Sequence, residues 1–251
     1  LFVGDAAHLL PIFGVRGANT GFQDAQALAW RLAVVARGAA PASLLQSYSS
    51  ERVGAAREII DEAGKSTRFM APPTRGFRLL RDAVLSLSLS QPFVGPLYHW
   101  RTSRPHEYGA SPLNAVDDDN ARFTAGPGHG APPRNVRLGE DDHLLDHLDH
   151  RFTLLCATET DFPPEWLAAV AELQAQGLPL QLIAVGARQP VPGADQTLPD
   201  ADGHLRERHG LTLGGAYLLR PDQHICARWT ALDAPRLRAA VWNACGLNPG
   251  A

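Results

Sequence analysis

Hydrophobic positions in the first third of the chain recur at helical spacing and predict three helices. The first helix covers about Phe22 to Val35, the second Ala42 to about Phe69, and the third Arg75 to Ser90. Gly38 is expected to end the first helix and Pro72 the second, because neither residue continues helical hydrogen bonding easily. This part of the chain is therefore predicted to be mostly helical.

The chain opens on three apolar residues, Leu1-Phe2-Val3, which run into Gly4-Asp5. This pattern predicts the last part of a buried strand that enters a turn. A strand of three residues needs ladder partners from elsewhere. We therefore expect the chain to be the back portion of a longer protein.

The second half of the chain changes pattern twice. From Gln91 to Arg137, Gly, Pro, Asp and Asn are frequent, which is typical of a connector. After Asp149, short apolar runs alternate with amphipathic stretches in the order βαβ(α)ββα, which resembles a thioredoxin-like domain without its Cys-x-x-Cys motif. The predicted α/β chain thus has three regions: residues 1–100, a connector at 101–148, and the thioredoxin-like domain at 149–251.

Composition excludes several classes of protein. The 23 basic and 26 acidic residues give a net charge of -3, which offers no electrostatic footprint for nucleic acid. No apolar run approaches the roughly 20 residues of a bilayer span, so we expect a soluble, cytoplasmic protein with no nucleic-acid or membrane partner. Cys156, Cys226 and Cys245 have apolar neighbours and no zinc or disulfide spacing, so they are predicted to be buried thiols.

The glycine-rich segment after Asp5 is the part of the chain that is specific enough to predict chemistry. A carboxylate at a strand end can accept ribose-type hydroxyls, and glycines allow a ligand to approach the backbone closely. The first amides of the following helix, near Ala18 and Asn19, present partial positive charge to an electron-rich group. Taken singly, Asp5 could equally cap a turn and Asn19 could cap the helix.

Taken in order, these residues resemble the second FAD-binding motif of the flavoprotein aromatic hydroxylases, the group A monooxygenases with the para-hydroxybenzoate hydroxylase fold. The resemblance also includes Tyr48-x-x-Glu51-Arg52, and the tail is similar to the phenol hydroxylase and hydroxyphenylpropionate hydroxylase subgroup. Residues 1–100 would then be the C-terminal portion of an FAD-binding domain. The matching positions are Gly4-Asp5-Ala6-Ala7-His8, Pro11, Gly14, Gly17, Asn19, Gly21, Asp24-Ala25, Leu28, Trp30 and Leu32.

The resemblance implies FAD as cofactor and assigns site residues. Asp5 would bind the ribityl chain, and Pro11 would line the place where flavin and substrate meet. The backbone at Gly14, Gly17, Ala18 and Asn19 would face the flavin and its pyrimidine edge. The family reduces its flavin with NADH or NADPH and hydroxylates aromatic rings with O₂ through a flavin C4a-hydroperoxide, and some members form homodimers. No catalytic residue is assigned in this chain.

Three departures from the family pattern bear on this prediction. Ile12 stands in place of the second proline, and Val15-Arg16 replaces the usual pair, so that Arg16 could favour an anionic substrate or an anionic flavin, or could simply be exposed. The GxGxxG pyrophosphate motif of the family is not in this chain. A polypeptide of these 251 residues alone is therefore expected to be inactive.

Two other hypotheses remain open. His143, His147 and His150 lie near several aspartates, and a His pair at helical i, i+4 spacing can bind metal, although such a cluster is more often a polar face. The thioredoxin-like domain could alternatively be a non-catalytic binding or dimerisation module that carries a relic of the flavin loop.

Overall fold

The computed structural model describes residues 1–12, 16–98 and 105–247. Contacts within the chain divide it into two compact units, the first made of Leu1–Gln26 and Ser50–His106 and the second of Ala27–Ser49 and Glu107–Ala251. The first two helices each contribute one segment to both units. The domain boundaries expected at residues 100 and 148 were drawn from sequence pattern and stay a prediction.

The predicted helices are present. They are α1 (Gly17–Ala36), α2 (Leu44–Met70) and α3 (Arg75–Ser88), followed by a single turn, α4 (Gly95–Tyr98). Beyond α1, Gly38 adopts a φ of 73°, a left-handed conformation that glycine enters at little cost. The hydroxyl of Thr74 accepts a hydrogen bond from the backbone amide of Phe77 and caps α3.

The expected strand at Leu1-Phe2-Val3 is not formed. These residues are irregular and exposed, and they lead into a 3-10 turn at Gly4–Ala6. A strand needs a hydrogen-bonded neighbour, and in the described part of the chain every paired strand lies between residues 152 and 229. The three residues are apolar, as the pattern indicates, but no strand among the described residues pairs with them.

Helix α3 also departs from its predicted packing. Its apolar residues include Phe77, Leu80, Val84 and Leu87, but only Val84 is buried, and the other three are 40%, 56% and 43% exposed. Most of the exposed large apolar side chains among the described residues belong to the first unit. Periodicity therefore identified an apolar face of α3 that remains largely uncovered.

The second unit contains a five-stranded sheet in the order β3-β2-β1-β4-β5. Strands β1 (Phe152–Ala157), β2 (Leu180–Val185) and β3 (Gln196–Leu198) run parallel, whereas β4 (Ala216–Leu219) and β5 (Ile225–Trp229) form an antiparallel hairpin. Helix α5 (Pro164–Ala175) links β1 to β2, α6 (His204–His209) precedes β4, and α7 (Ala234–Ala244) ends the unit. The predicted thioredoxin-like α/β domain is confirmed, with β3 as an additional short strand.

Both faces of this sheet are covered, which explains why β1 has no polar alternation. Phe152, Leu154 and Cys156 join the core cluster that includes α5 and α7. Leu155 and Ala157 point to the opposite face and join the cluster that includes Leu205 of α6 and Leu211 after it. Strands buried on both faces read as continuous apolar runs.

The hairpin turn between β4 and β5 holds a fully buried carboxylate. Asp222 accepts hydrogen bonds from Arg220, at 3.0 and 2.8 Å, and from the indole nitrogen of Trp30 on α1, at 3.0 Å. Burial alone would raise the pKa of Asp222, but the charge of Arg220 and the contact with His224 hold it well below its usual range. The segment of α1 in this unit is thereby tied to the hairpin.

All three cysteines are buried and unpaired, as predicted. Desolvation raises the pKa of Cys156 and of Cys245 to about 12 and raises that of Cys226 as well. A thiol that stays protonated at neutral pH is a poor nucleophile. These cysteines act as small hydrophobic residues in the core.

A buried histidine makes the stability of the second unit depend on pH. The Nδ1 of His209 lies 3.0 Å from the carbonyl oxygen of Leu205, and its Nε2 accepts the backbone amide of Arg134 at 3.2 Å. These two bonds require a neutral ring, because Nδ1 donates while Nε2 accepts. Burial accordingly lowers the pKa of His209 below its ordinary value of 6.5.

We therefore expect the free energy of unfolding to fall as the pH drops below about 6.5, because the unfolded chain binds a proton that the folded ring refuses. The slope from this one group is at most about 1.4 kcal/mol per pH unit. Urea melts between pH 7 and pH 5 measure it. His209→Gln should remove this contribution, and His204→Gln, which deletes an exposed imidazole from the same helix, is the control. An unchanged slope in His209→Gln would contradict the assignment.

Candidate functional site

The turn that carries Asp5 is closed by backbone hydrogen bonds. The carbonyl oxygen of Gly4 accepts the amides of Ala7 and His8, at 2.8 and 3.0 Å. Gly4 itself has a φ of 57°, a left-handed conformation that costs an ordinary residue about 1–2 kcal/mol. Asp5 lies on the outside of this turn with its carboxylate exposed.

A buried carboxylate on α1 is hydrogen-bonded to both ends of this turn. Oδ2 of Asp24 accepts the amide of Gly4 at 2.9 Å and lies 2.7 Å from Nε2 of His8. Its other oxygen, Oδ1, accepts Nε of Arg52 on α2 at 2.6 Å. Asp24 is completely buried and Arg52 almost so, so this ion pair is shielded from solvent. We call Asp24, His8 and Arg52 the Asp24 clamp.

The start of α1 is the second component of the site. The helix begins at Gly17, and the first regular bond runs from the amide of Thr20 to the carbonyl of Arg16. Ala18 and Asn19 are exposed, and their amides belong to the first turn, which lacks acceptors inside a helix. Together with the helix dipole they present partial positive charge.

Two glycines determine how the turn meets the helix. A Cβ placed on Gly21 would come within 3.4 Å of the Cα of Gly4, so the two backbones are in close contact. A Cβ placed on Gly17 would meet no atom of the described residues within 4 Å, so these residues leave space beside the helix start. The glycine pattern therefore has two uses, since one position permits contact between backbones and the other leaves room.

The structure brings several of the predicted site residues together on one framework. Asp5 belongs to the turn that contacts α1, whereas Gly17, Ala18 and Asn19 form the first turn of that helix. Pro11 is half-buried in the segment between them, and Gly14 lies outside the described residues. Their roles in cofactor binding stay a prediction.

The clamp residues were present in the sequence motif without an assigned role. The signal that could have identified them is the helical position of Asp24, which lies one turn before Ala27 and Leu28 on the buried side of α1. A charged residue on a buried face requires a partner, and Arg52 lies in the quoted Tyr48-x-x-Glu51-Arg52 pattern.

A cleft of about 430 Å³ opens beside the start of α1. Arg16 lines it and is half-buried, so it is not the fully exposed arginine that was one of the alternatives. His106 also lines the cleft, and its Nδ1 is hydrogen-bonded to the carboxylate of Glu58. The other lining residues are Asn19, Thr20, Phe22, Gln23, Ile59 and Pro105.

The histidines of the predicted cluster interact with neighbouring side chains of the protein. His147 is 2.7 Å from both Asp142 and Gln196, and His143 caps the 3-10 turn Leu144–His147. The histidines therefore do not lie on an α-helix, and i, i+4 spacing does not bring them onto one face. Within the described residues, no group of three or more His, Cys, Asp or Glu side chains is arranged to hold a metal ion.

The site fits the polar and electron-rich parts of a flavin. The exposed carboxylate of Asp5 can accept hydrogen bonds from hydroxyl groups, and the first amides of α1 can stabilise negative charge. Open space beside Gly17 allows a planar ring to approach the backbone. No GxGxxG cradle for a pyrophosphate occurs in these 251 residues.

Residues 1–63 match the family model described as "FAD binding domain". A putative polyketide hydroxylase of Streptomyces halstedii is 32% identical over 90% of this chain and 40% of its own length. The 3-(3-hydroxy-phenyl)propionate/3-hydroxycinnamic acid hydroxylase of Mycobacterium avium (strain 104) is 30% identical over 99% of this chain and 44% of its own. Over most of its length the chain is therefore similar to part of these hydroxylases, and its first 63 residues match an FAD-binding family.

Structural comparison agrees with this family. The ternary complex of aklavinone-11 hydroxylase with FAD and aklavinone superimposes with a TM-score of 0.68 at 27% identity, over 97% of this chain and 43% of that one. The chain therefore spans less than half the length of these relatives. The resemblance identified in the motif is confirmed.

No helix among residues 1–12, 16–98 and 105–247 has the length and apolar character required to cross a bilayer.

We expect Gly4→Ala to loosen the turn, because alanine is strained at a φ of 57°. Amide hydrogen exchange in residues 4–8 should become about tenfold faster, which corresponds to about 1.4 kcal/mol. Gly17→Ala is the matched control, since its new methyl group meets no atom within 4 Å in the part of the chain that the structure describes. Equal exchange rates in the two variants would show that the conformation of Gly4 does not limit the turn.

Proposed function

We propose that the protein holds FAD with the Asp5 turn and the start of α1 and uses it to hydroxylate an aromatic substrate. The observation that carries this proposal is that both components belong to one framework, in which the turn of Asp5 is hydrogen-bonded to α1 through Asp24. The match to an FAD-binding family supports the choice of cofactor. The relatives named above are hydroxylases, and one is a complex with FAD.

Each component would contact a different part of the cofactor. Asp5 would accept hydrogen bonds from the ribityl hydroxyls, because its carboxylate is exposed and acts only as an acceptor when ionised. The amides of Gly17, Ala18 and Asn19 would face the pyrimidine edge of the ring, where negative charge accumulates on reduction. Pro11 would border the space for the substrate ring.

Bound FAD would supply the redox chemistry, namely reduction by NADH or NADPH and transfer of one oxygen atom of O₂ to the substrate, the other oxygen atom leaving as water. The C4a-hydroperoxide route expected from the resemblance belongs to this proposal. The chain's own residues would bind and orient the flavin and stabilise its reduced charge. We also propose that residues 1–251 alone are inactive, because they contain no GxGxxG turn to hold the pyrophosphate.

The names of the relatives support a phenolic or polyketide-type aromatic substrate. A homodimer and a cytoplasmic location also belong to this proposal, and the three unpaired thiols fit a reducing compartment. The alternative of a non-catalytic module is favoured by one observation. The second unit has a complete core, and its thiols are too deeply buried for disulfide exchange.

The test measures FAD bound to the protein as its gene encodes it. Asp5→Ala should raise the Kd for FAD about tenfold, because a charged acceptor is lost, and should leave the thermal unfolding midpoint unchanged, because Asp5 is exposed. Titration followed by flavin fluorescence measures the first quantity, and circular dichroism measures the second. Asp202→Ala, at an exposed turn of the second unit, is the matched control.

Unchanged FAD affinity in Asp5→Ala would remove Asp5 from the site. A wild-type protein that binds no FAD and oxidises no NADH or NADPH with phenolic substrates would support the non-catalytic module instead. A polypeptide of residues 1–251 that hydroxylates a phenol without any further chain would contradict the proposed inactivity.

A further inference from the structure

We propose that His8 and Asp24 are positioning residues for the flavin, and that the Asp24 clamp sets the distance between Asp5 and the first amides of α1. This inference rests on the proposed function and adds to it two residues that do not contact the cofactor themselves. Its structural basis is that one buried carboxylate binds the chain on both sides of Asp5, at Gly4 and at His8.

The ion pair of the clamp determines which hydrogen bonds Asp24 accepts and which ring nitrogen of His8 donates. Asp24 is ion-paired with Arg52 at 2.6 Å, so it accepts hydrogen bonds, and the ring of His8 must therefore donate from Nε2. The same oxygen, Oδ2, also accepts the amide of Gly4. Because both bonds end on one atom, Gly4 and His8 cannot move apart without breaking a charge-assisted hydrogen bond.

The position of Asp24 on α1 explains what the clamp would control. Asp24 is seven residues after Gly17, about 10 Å along the helix at 1.5 Å per residue. The Asp5 turn and the first amides of α1 are therefore both attached to the same helix. A cofactor held at its ribityl chain by one and at its ring by the other needs that distance fixed in advance, because ligand affinity rises when the site is pre-organised.

The clamp has a cost that stability alone does not explain. Nδ1 of His8 is buried and has no hydrogen-bond partner among the described residues. A buried polar atom without a partner lowers stability. What the imidazole adds is the bond from Nε2 to Asp24, which fixes the far side of the Asp5 turn.

Three variants of the gene-encoded protein test the inference. His8→Ala removes the bond and should raise the Kd for FAD about tenfold, with amide exchange in residues 4–8 about tenfold faster. The unfolding midpoint should fall, because a charge-assisted hydrogen bond to a buried carboxylate is lost. His8→Gln should restore the Kd and the exchange rate to within about threefold of wild type, because the glutamine amide can donate to Asp24 from nearly the same position. Asp24→Asn removes the charge and should weaken binding more than His8→Ala.

His129→Ala is the matched control, because His129 is also a half-buried imidazole on a buried aspartate, Asp118, but lies in the second unit. It should leave FAD affinity and exchange at residues 4–8 unchanged. If Asp24→Asn fails to fold, the two His8 variants still decide the matter.

Wild-type FAD affinity in His8→Ala, or no rescue by His8→Gln, would overturn the positioning role. Exchange at residues 4–8 is measured without flavin, so it tests the clamp even if the protein binds no FAD. Unchanged exchange in His8→Ala would overturn the clamp itself, whereas faster exchange in a protein without FAD affinity would retain the clamp and overturn only its purpose and the proposed function.

Discussion

A carboxylate buried inside a protein must be compensated, and this requirement shapes both units of the chain. In the first unit Asp24 is completely buried, and it is neutralised by Arg52 and hydrogen-bonded to Gly4 and His8. Gly4 and His8 belong to the opening turn, whereas Arg52 lies on α2. Satisfying one charge therefore brings the opening turn, α1 and α2 into a single arrangement, and the exposed Asp5 is carried along with them.

The second unit uses the same principle at Asp222. Its carboxylate is buried in the hairpin turn, where Arg220 supplies the charge and Trp30 of α1 donates a further hydrogen bond. Helix α1 thus contributes to both buried sites. It carries the buried Asp24 in the first unit and Trp30, which donates a hydrogen bond to Asp222, in the second. A replacement that left either charge unpaired would cost more than the interaction is worth when intact.

The features that depend on local sequence could be predicted. Helix boundaries at Gly38 and around Pro72 follow from residues whose backbone preferences are strong. The buried strands of the second unit follow from short, largely apolar runs, and the flavin-type loop follows from glycines at specific spacing. Strand β3 was missed because Gln196, Thr197 and Leu198 are too few, and too polar, to show a period.

The features that depend on a distant partner could not be predicted. Periodicity assigned an apolar face to α3 but could not show that Phe77, Leu80 and Leu87 would remain largely exposed. In the same way, the motif contained Asp24 and Arg52 but gave no sign that they meet across 28 residues. Which charges pair and which apolar faces are covered depends on the tertiary structure. The sequence pattern indicates only that a charge needs a partner or that a face needs a cover.

These two kinds of information meet at the candidate site. The residues that would touch a flavin, Asp5 and the first turn of α1, are exposed and locally recognisable, because a ligand must reach them. The residues that would hold them in place, Asp24 and Arg52, are buried. The sequence indicates that Asp24 needs a partner, but only the structure shows that Arg52 is that partner. A loop motif therefore predicts which chemistry a site can perform, whereas the pairing of buried charges beneath it determines whether the groups stand at the required distance.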